Sequence, residues 1–293
     1  MTEAERITRS LGGRWYGKYG TACCPAHGDQ HPSLSLSDAS NGRLLAHCKS
    51  GCSFLAVLAA LRGKGLLHGT GPARPPDPAE LARRRATGEA GAAKREAQAR
   101  AVWTEALPVA GTLAEAYLRG RRITCNLPES LRFHPACWHP SDKRLPALVA
   151  RVDSAVGFAV HRTFLRPDGT GKADAEPTKA MLGPAAGGHV MLTQAAGPLV
   201  VAEGIETALS LASGLLRAQA TIWATLSAPG MAALTLPLTP GQLTIATDGD
   251  SAGRGAGHKL AERAIALGWS VRLMPAPDGR DWNDVLAEDA GER

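Results

Sequence analysis

Glu203, Asp248, Asp250 and Asp281 are carboxylates that fall just after short apolar runs toward the end of the chain. The runs open the segments PLVVAEGIETALSL, QLTIATDGDSAGRGAGHKLAERAI and SVRLMPAPDGRDWNDVL. Carboxylates gathered at one place repel each other unless a cation neutralises them. Oxygen donors with no Cys or His among them suit Mg²⁺ or Mn²⁺. A second chemically able group lies near the start, where Cys24-x2-His27 is followed after twenty residues by Cys48-x3-Cys52. Two close pairs on tight turns, divided by a hairpin-length insert, are how a structural zinc site is built. Thiolates with an imidazole favour Zn²⁺ over harder metals. Cys23, His31 and His47 are neighbouring candidates for the same ligand shell.

The elements that position these groups can be read from the pattern. Apolar runs alternating with helical stretches from Pro198 onward predict βαβ units and a parallel sheet. Chemistry in such sheets collects at the carboxyl ends of the strands, so the fold can bring the four carboxylates together. Singly, Glu-Gly after a strand is a turn, and Asp-Gly-Asp is a loop or a helix N-cap. Their occurrence on βα units of one sheet points to a metal. Around the Cys and His pairs, residues 2–11 predict a helix, PSLSLSDASNGRLLAHC two strands about Asn41-Gly42, and FLAVLAALRG an apolar helix. Zinc would help stabilise a module too small to bury much core. Arg14, Lys18, Lys49, Trp15, Tyr16 and Tyr19 flank it and can meet single-stranded DNA by charge and stacking.

HGTGPARPPDPAE predicts a linker. A basic helix follows, carrying Arg83, Arg84, Arg85, Lys94, Arg95 and Arg100, with Gly88 and Gly91 as weak points. Next come a helix capped near Thr112 and several short strands, a mixed α+β region. The expected domains are 1–67, a linker and basic helix at 68–106, a middle subdomain at 107–197, and a C-terminal domain at 198–293.

Charge is unevenly spread over the 293 residues, whose net charge is +6. Residues 198–293 hold 7 Lys+Arg and 11 Asp+Glu, whereas residues 1–197 hold 26 and 16. A basic front and an acidic back suit a nucleic acid held by one part and processed by the other. The start MTEAERITRS has no apolar h-region, and no apolar stretch is long enough to span a bilayer, so a cytoplasmic location with no membrane partner is expected. Six Cys in that compartment argue for metal binding by those that cluster. The chain has no Gly-x4-Gly-Lys-Ser/Thr loop and hence no P-loop helicase of its own.

The stretch from Pro198 onward resembles the Toprim domain of DnaG-type primases, topoisomerases and some nucleases. The family's Glu falls on Glu203 in AEG, its Asp-x-Asp on Asp248 and Asp250 in TDGD, and its third acidic element on GRDWND. That places Asp281 on the first Asp of the third element and Asn283 on the second, with Asp284 as a possible substitute. Cys24-Pro25-x-His27, Pro32-Ser33-Leu34 and Cys48-x3-Cys52 resemble the CHC2 zinc ribbon of primases, with a second knuckle one residue longer. Gly157 to Arg162 and Pro177 to Met181 are similar to two motifs of the primase middle subdomain.

The resemblance implies an α/β protein with an N-terminal zinc ribbon, a mixed middle subdomain and a C-terminal Toprim domain. It implies a DNA primase of phage or mobile-element type that joins nucleoside triphosphates on a single-stranded DNA template, served by a separate helicase. Cys24, His27, Cys48 and Cys52 would hold Zn²⁺, and Glu203, Asp248, Asp250 and Asp281 would hold Mg²⁺ or Mn²⁺. Glu203 could instead serve as general base, and Arg162 and Lys179 would touch phosphates. Two other classes remain compatible with the residues: a Toprim nuclease using the same carboxylates, and a degenerate module that binds DNA and recruits a helicase, which Asn283 keeps open.

Overall fold

The structure, a computed structural model, describes residues 1–39, 42, 44–67 and 78–289. Asn41 of the expected hairpin turn and residues 68–77 of the expected linker lie outside the described residues, and the linker's last three residues, 78–80, are helical instead. The chain divides into two compact units, Met1–Asp77 and Pro78–Arg293. Among the described residues no helix is long and apolar enough to cross a membrane.

In the first unit, α1 (Glu3–Ser10) is followed by β1 (Arg14–Trp15), β2 (Tyr19–Ala22), β3 (Leu34–Asp38), β4 (Leu44–Cys48) and α2 (Phe54–Gly63). Thr2 and Ser53 cap the two helices by accepting from Glu5 N and Ala56 N. The strands form an antiparallel sheet in the order β1-β2-β3-β4. Leu34 and Leu36 alternate inward along β3 and pack on Ile7, Val57 and Leu61. This core is small, which is why a metal would matter to it.

The second unit begins with α3 (Pro78–Glu105), a continuous helix that runs through Gly88 and Gly91. Then come β5 (Leu107–Pro108), α4 (Leu113–Gly120), β6 (Leu131–Trp138), β7 (Arg144–Val152), β8 (Ala159–Phe164) and β9 (Lys179–Leu182). These five strands form an antiparallel meander in sequence order. Its two faces are dressed separately. Val149, Val160 and Phe164 pack with Ala99 and Val102 of α3, while Leu148, Ala150 and Leu165 join Tyr117 and Leu118 of α4.

A further five-stranded sheet is built from β10 (Val190–Thr193), β11 (Leu199–Ala202), β12 (Thr221–Ala224), β13 (Gln242–Thr247) and β14 (Ser270–Pro275). The order is β10-β12-β11-β13-β14, with β10 antiparallel and the others parallel. Between them lie α5 (Ile205–Ser210), which runs on into a π turn at Leu211–Leu215, then α6 (Ala228–Ala233) and α7 (Ser251–Ala266), and α8 (Trp282–Asp289) closes the chain. β11 is buried at every position, as a central parallel strand covered on both faces should be. Val200 and Ala202 pack toward α4 and α5, and Leu199 and Val201 toward Met231 of α6 and Leu260 of α7.

The middle and C-terminal segments of the sequence share one core. Tyr117, Leu118, Ile123 and Leu131 pack in the same cluster as Val200, Ile205 and Leu209. Polar contacts follow the same seam. Ser213 Oγ accepts from Thr124 N at 3.0 Å, Ser130 Oγ donates to Met191 O at 2.6 Å, and Asp153 and His189 exchange backbone bonds.

Candidate functional site

Register decides where the acidic residues meet. Ala202 of β11 stands opposite Ala246 of β13, and Thr247 opposite Pro275 of β14. Glu203 and Asp248 therefore leave the sheet at nearly the same height. Asp250 N-caps α7, accepting from Gly253 N at 2.7 Å. Asp281 caps α8 in the same way, with its Oδ1 accepting from Asn283 N at 2.8 Å and Asp284 N at 2.9 Å. The two loops are joined by backbone bonds, Gly249 N to Arg280 O at 2.7 Å and Gly279 N to Gly249 O at 3.2 Å. Only glycine fits at 249, because a Cβ there would run into the Pro277 carbonyl. The glycine of Asp-Gly-Asp thus lets the third acidic element close on the second.

The electrostatics record this crowding. Burial, then the charges of Glu203, Asp281 and Asp250, push Asp248 up to about 6. Burial and Asp250 raise Glu203, against the Ala228 amide and Lys179, which favour its charge. The Thr207 hydroxyl lies 3.4 Å from Asp248 Oδ1 and steadies it. Hard oxygen donors that destabilise one another fit a divalent cation such as Mg²⁺ or Mn²⁺. Their spacing is open. Among the described residues, the set whose donor atoms all lie within 4.8 Å of one another is the Cys and His quartet, and no three carboxylates meet that spacing.

Asn283 and Asp284 have other work. Asn283 is buried, and its Nδ2 donates to Arg121 O at 2.8 Å and Ser210 Oγ at 2.9 Å, tying α8 to the core. Asp284 accepts from Asp281 N at 3.0 Å, completing a reciprocal cap. The Asn in GRDWND is therefore a structural residue turned away from the carboxylates.

In the first unit the structure brings Cys24, His27, Cys48 and Cys52 together. Cys23 is half-buried, His31 and His47 are exposed, and none of the three belongs to the set. His27 Nδ1 faces Cys52 Sγ at 3.2 Å and Cys48 Sγ at 3.9 Å. The thiols are unequal. Burial and the Cys48 sulphur push Cys24 up to about 11. At Cys48 burial opposes ionisation, but the Cys52 amide, the Ser33 hydroxyl and the Ser50 amide bring the thiol down to about 6. Three sulphurs and an imidazole at this spacing fit tetrahedral zinc.

Asp29, which the spacing argument overlooked, supports this cluster. Its Oδ2 accepts from Cys24 N at 2.6 Å and Ser33 Oγ at 2.6 Å, and its Oδ1 lies 3.6 Å from His27 Nε2. The Cys24 amide and then the Ser33 hydroxyl hold its carboxyl at about 2. A carboxylate behind a ligating imidazole fixes the ring and its tautomer. Asp29→Ala is expected to weaken zinc binding about 10- to 100-fold, measured by competition with a chromogenic chelator. Unchanged affinity would mean that Asp29 only shapes the loop.

Arg162 and Lys179, each expected to touch phosphates, lie on separate faces of the sheet. Arg162 stands opposite Ala180 and Thr163 opposite Lys179, so strand alternation sends the two side chains to opposite faces of the meander. Arg162 is buried on the α3 side and donates to Trp138 O at 2.7 Å and Met181 O at 3.4 Å. Lys179 lies on the α4 side, where its Nζ meets Glu206 Oε2 at 3.1 Å. It lines a cavity of about 320 Å³ with His161, Thr225, Ser227 and Gly230.

His161 beside it is a buried neutral imidazole. Burial, then the Lys179 charge, lower it to about 4. The unfolded value is near 6.5, so the unfolded chain takes up the proton first as pH falls. The stability involved is present above about pH 6.5 and is lost toward pH 4. Its full size is about 3 kcal/mol. His161→Gln is expected to flatten the acid decline of Tm in that window relative to wild type. Parallel Tm curves would contradict the assignment.

Comparison with protein families identifies two segments of this unit. Residues 198–292 match the Toprim domain. The C-terminal part of this chain is a Toprim domain. Its Glu203 and Asp248 leave β11 and β13 at the carboxyl edge of the sheet, and Asp250 and Asp281 cap the helices that follow. Residues 93–192, ahead of the Toprim domain, match a domain of unknown function, DUF7146. No curated protein matches the chain. Among solved structures, the chain is similar to a DNA primase domain from Pseudomonas aeruginosa, with 18% identity, a TM-score of 0.42, and coverage of 68% of this chain and 77% of that one. It is also similar to the zinc-binding and RNA polymerase domains of the Aquifex aeolicus primase, with 14% identity, a TM-score of 0.43, and coverage of 100% and 81%. The RNA polymerase domain of Mycobacterium tuberculosis primase DnaG gives 16% identity, a TM-score of 0.37, and coverage of 68% and 80%.

Proposed function

We propose that this protein is a primase-like nucleotidyltransferase that binds single-stranded DNA and joins nucleoside triphosphates into a short RNA primer. The observation that carries the reading is the acidic edge of the Toprim domain, in a chain that also holds a Cys and His cluster near its start. A divalent cation bound by Asp248, Asp250, Asp281 and Glu203 would neutralise the triphosphate and stabilise the charge that develops in phosphoryl transfer. The protein's own part is to hold these carboxylates in register through the paired loops and Thr207. Glu203 is half-buried and its carboxyl is raised, which suits either a ligand or an acceptor for the proton of the attacking 3′-hydroxyl. Lys179 would meet phosphate oxygens. Arg162, committed to two carbonyls, supports the sheet.

The Cys24, His27, Cys48 and Cys52 cluster would hold zinc and act on the template rather than on the chemistry. Tyr16 and Tyr19 are exposed and stacked at 5.1 Å, with Arg14 over the Tyr16 ring, a surface suited to unpaired bases. A separate helicase would deliver the template, and priming is expected to rise when one is added. The test is incubation with circular single-stranded DNA, labelled ribonucleotides and Mg²⁺ or Mn²⁺. Short labelled products are expected. Metal-dependent loss of the template would make the protein a nuclease, and bound but unaltered DNA would make it a binding module.

A further inference from the structure

Glu206 lies in the first turn of α5, three residues after Glu203, and its side chain is buried in the core, 5% exposed. Tyr117 Oη donates to its Oε1 at 2.7 Å, Lys179 Nζ to its Oε2 at 3.1 Å, and Lys172 Nζ lies 3.4 Å from Oε1. A carboxylate buried this deeply survives as an anion only when it is paired and hydrogen-bonded. Burial favours its protonated form, but Lys179, Lys172, its own amide and Tyr117 hold it well below the usual carboxylate range. The arrangement therefore has a fixed negative centre with two ammonium groups on it, each lysine side chain about a third exposed.

The two lysines come from outside the Toprim domain. Lys172 follows β8 and Lys179 opens β9, both in the segment of unknown function. Lys179 lines the cavity beside the loop after β12, and its charge bears on Glu203. An ammonium group free to move there would be drawn to Glu203 and compete with a cation for it. A buried anion behind the two lysines keeps them charged, fixed and off the acidic edge. It also leaves one net positive charge at the margin of a cluster that would otherwise repel an anionic substrate.

We propose that Glu206 is a positioning residue that stations Lys172 and Lys179 as an anchor for the phosphates of the incoming nucleoside triphosphate. This rests on the nucleotidyl-transfer reading above. Glu206 itself touches neither substrate nor metal. It acts through the lysines.

The test uses the full chain and two independent readouts. The first is equilibrium binding of a fluorescent ATP analogue in Mg²⁺, which needs no turnover. The second is the KM and kcat for ribonucleotides in primer synthesis. Glu206→Gln is expected to weaken analogue binding about tenfold and to raise KM by a similar factor, with kcat within about threefold and DNA affinity unchanged. Glu206→Asp, which restores the charge, is expected to recover part of the loss. Because Glu206→Gln disturbs a buried group, the Lys172→Met/Lys179→Met variant gives a second route. Analogue binding should fall as far as in Glu206→Gln, and adding Glu206→Gln to it should cost little more. Full analogue binding by Glu206→Gln, a loss of DNA affinity instead, or an undiminished effect in the lysine-free background would each overturn the proposal. If no variant or wild type primes but the analogue still binds through this triad, the nucleotide anchor stands and the primase reading falls.

Discussion

Asp248→Asn is expected to reduce primer synthesis about a thousandfold or more, while the metal-free protein becomes more stable. Both results follow from the position of Asp248 after β13, where burial and the charges of Glu203, Asp281 and Asp250 act on it together. Asparagine has the same shape and can keep the contact that Thr207 makes at 3.4 Å. What it loses is charge, and with it a share in holding a divalent cation. Without metal, that charge is a cost, because it is partly buried among like charges. Relief of about 1 kcal/mol would raise Tm by roughly 2–4 °C in a unit of this size. Differential scanning calorimetry in a chelator, alongside Mn²⁺ titration, checks both halves. A variant that loses stability without metal, or that binds Mn²⁺ as tightly as wild type, would show that Asp248 is structural.

The second large effect concerns which piece of the chain can fold. Residues 198–293 alone are expected to stay unfolded, whereas residues 78–293 are expected to fold cooperatively. Starting at Pro198 removes β10, the antiparallel edge of the sheet, together with Val190 and Leu192. It also removes Tyr117, Leu118, Ile123 and Leu131 from the cluster that covers Val200, Ile205 and Leu209. Each large apolar side chain taken from a core costs about 1.5–3 kcal/mol. Several such losses together exceed the roughly 5–15 kcal/mol by which a domain is stable. Glu206 would be left buried without Tyr117, Lys172 or Lys179, adding the penalty of an unpaired charge. Circular dichroism with thermal melts of the two fragments decides the matter. A cooperative melt from 198–293 would contradict it.

These two predictions divide the site into what a reader of the sequence can see and what only packing supplies. Glu203, Asp248, Asp250 and Asp281 were legible because each follows an apolar run, and parallel sheets place such residues on one edge. The Cys and His quartet was legible from pair spacing, although Cys23, His31 and His47 lay close enough in sequence to compete until the hairpin was in register. Glu206 was not legible, because a Glu in the first turn of a helix reads as solvated until Tyr117 and the two lysines are known to contact it. Arg162 and Lys179 were expected at phosphates because the stretches that carry them resemble two motifs of the primase middle subdomain. Their separation depends on strand parity, which the register of β8 and β9 fixes and sequence does not. Asn283 looked like a damaged ligand position. Its bonds to Arg121 O and Ser210 Oγ are long-range and leave no local trace in the chain. The seam between residues 93–192 and 198–292 was also hidden, since a change of local pattern near residue 197 marks a change of topology and not a break in the core.

Sequencing the products made on a single-stranded DNA of known sequence decides whether the acidic edge copies a template. Short RNAs complementary to the template are expected from wild type with Mg²⁺ or Mn²⁺, and none from Asp248→Asn. Products that ignore the template sequence, or equal synthesis by the Asp248→Asn protein, would contradict that reading.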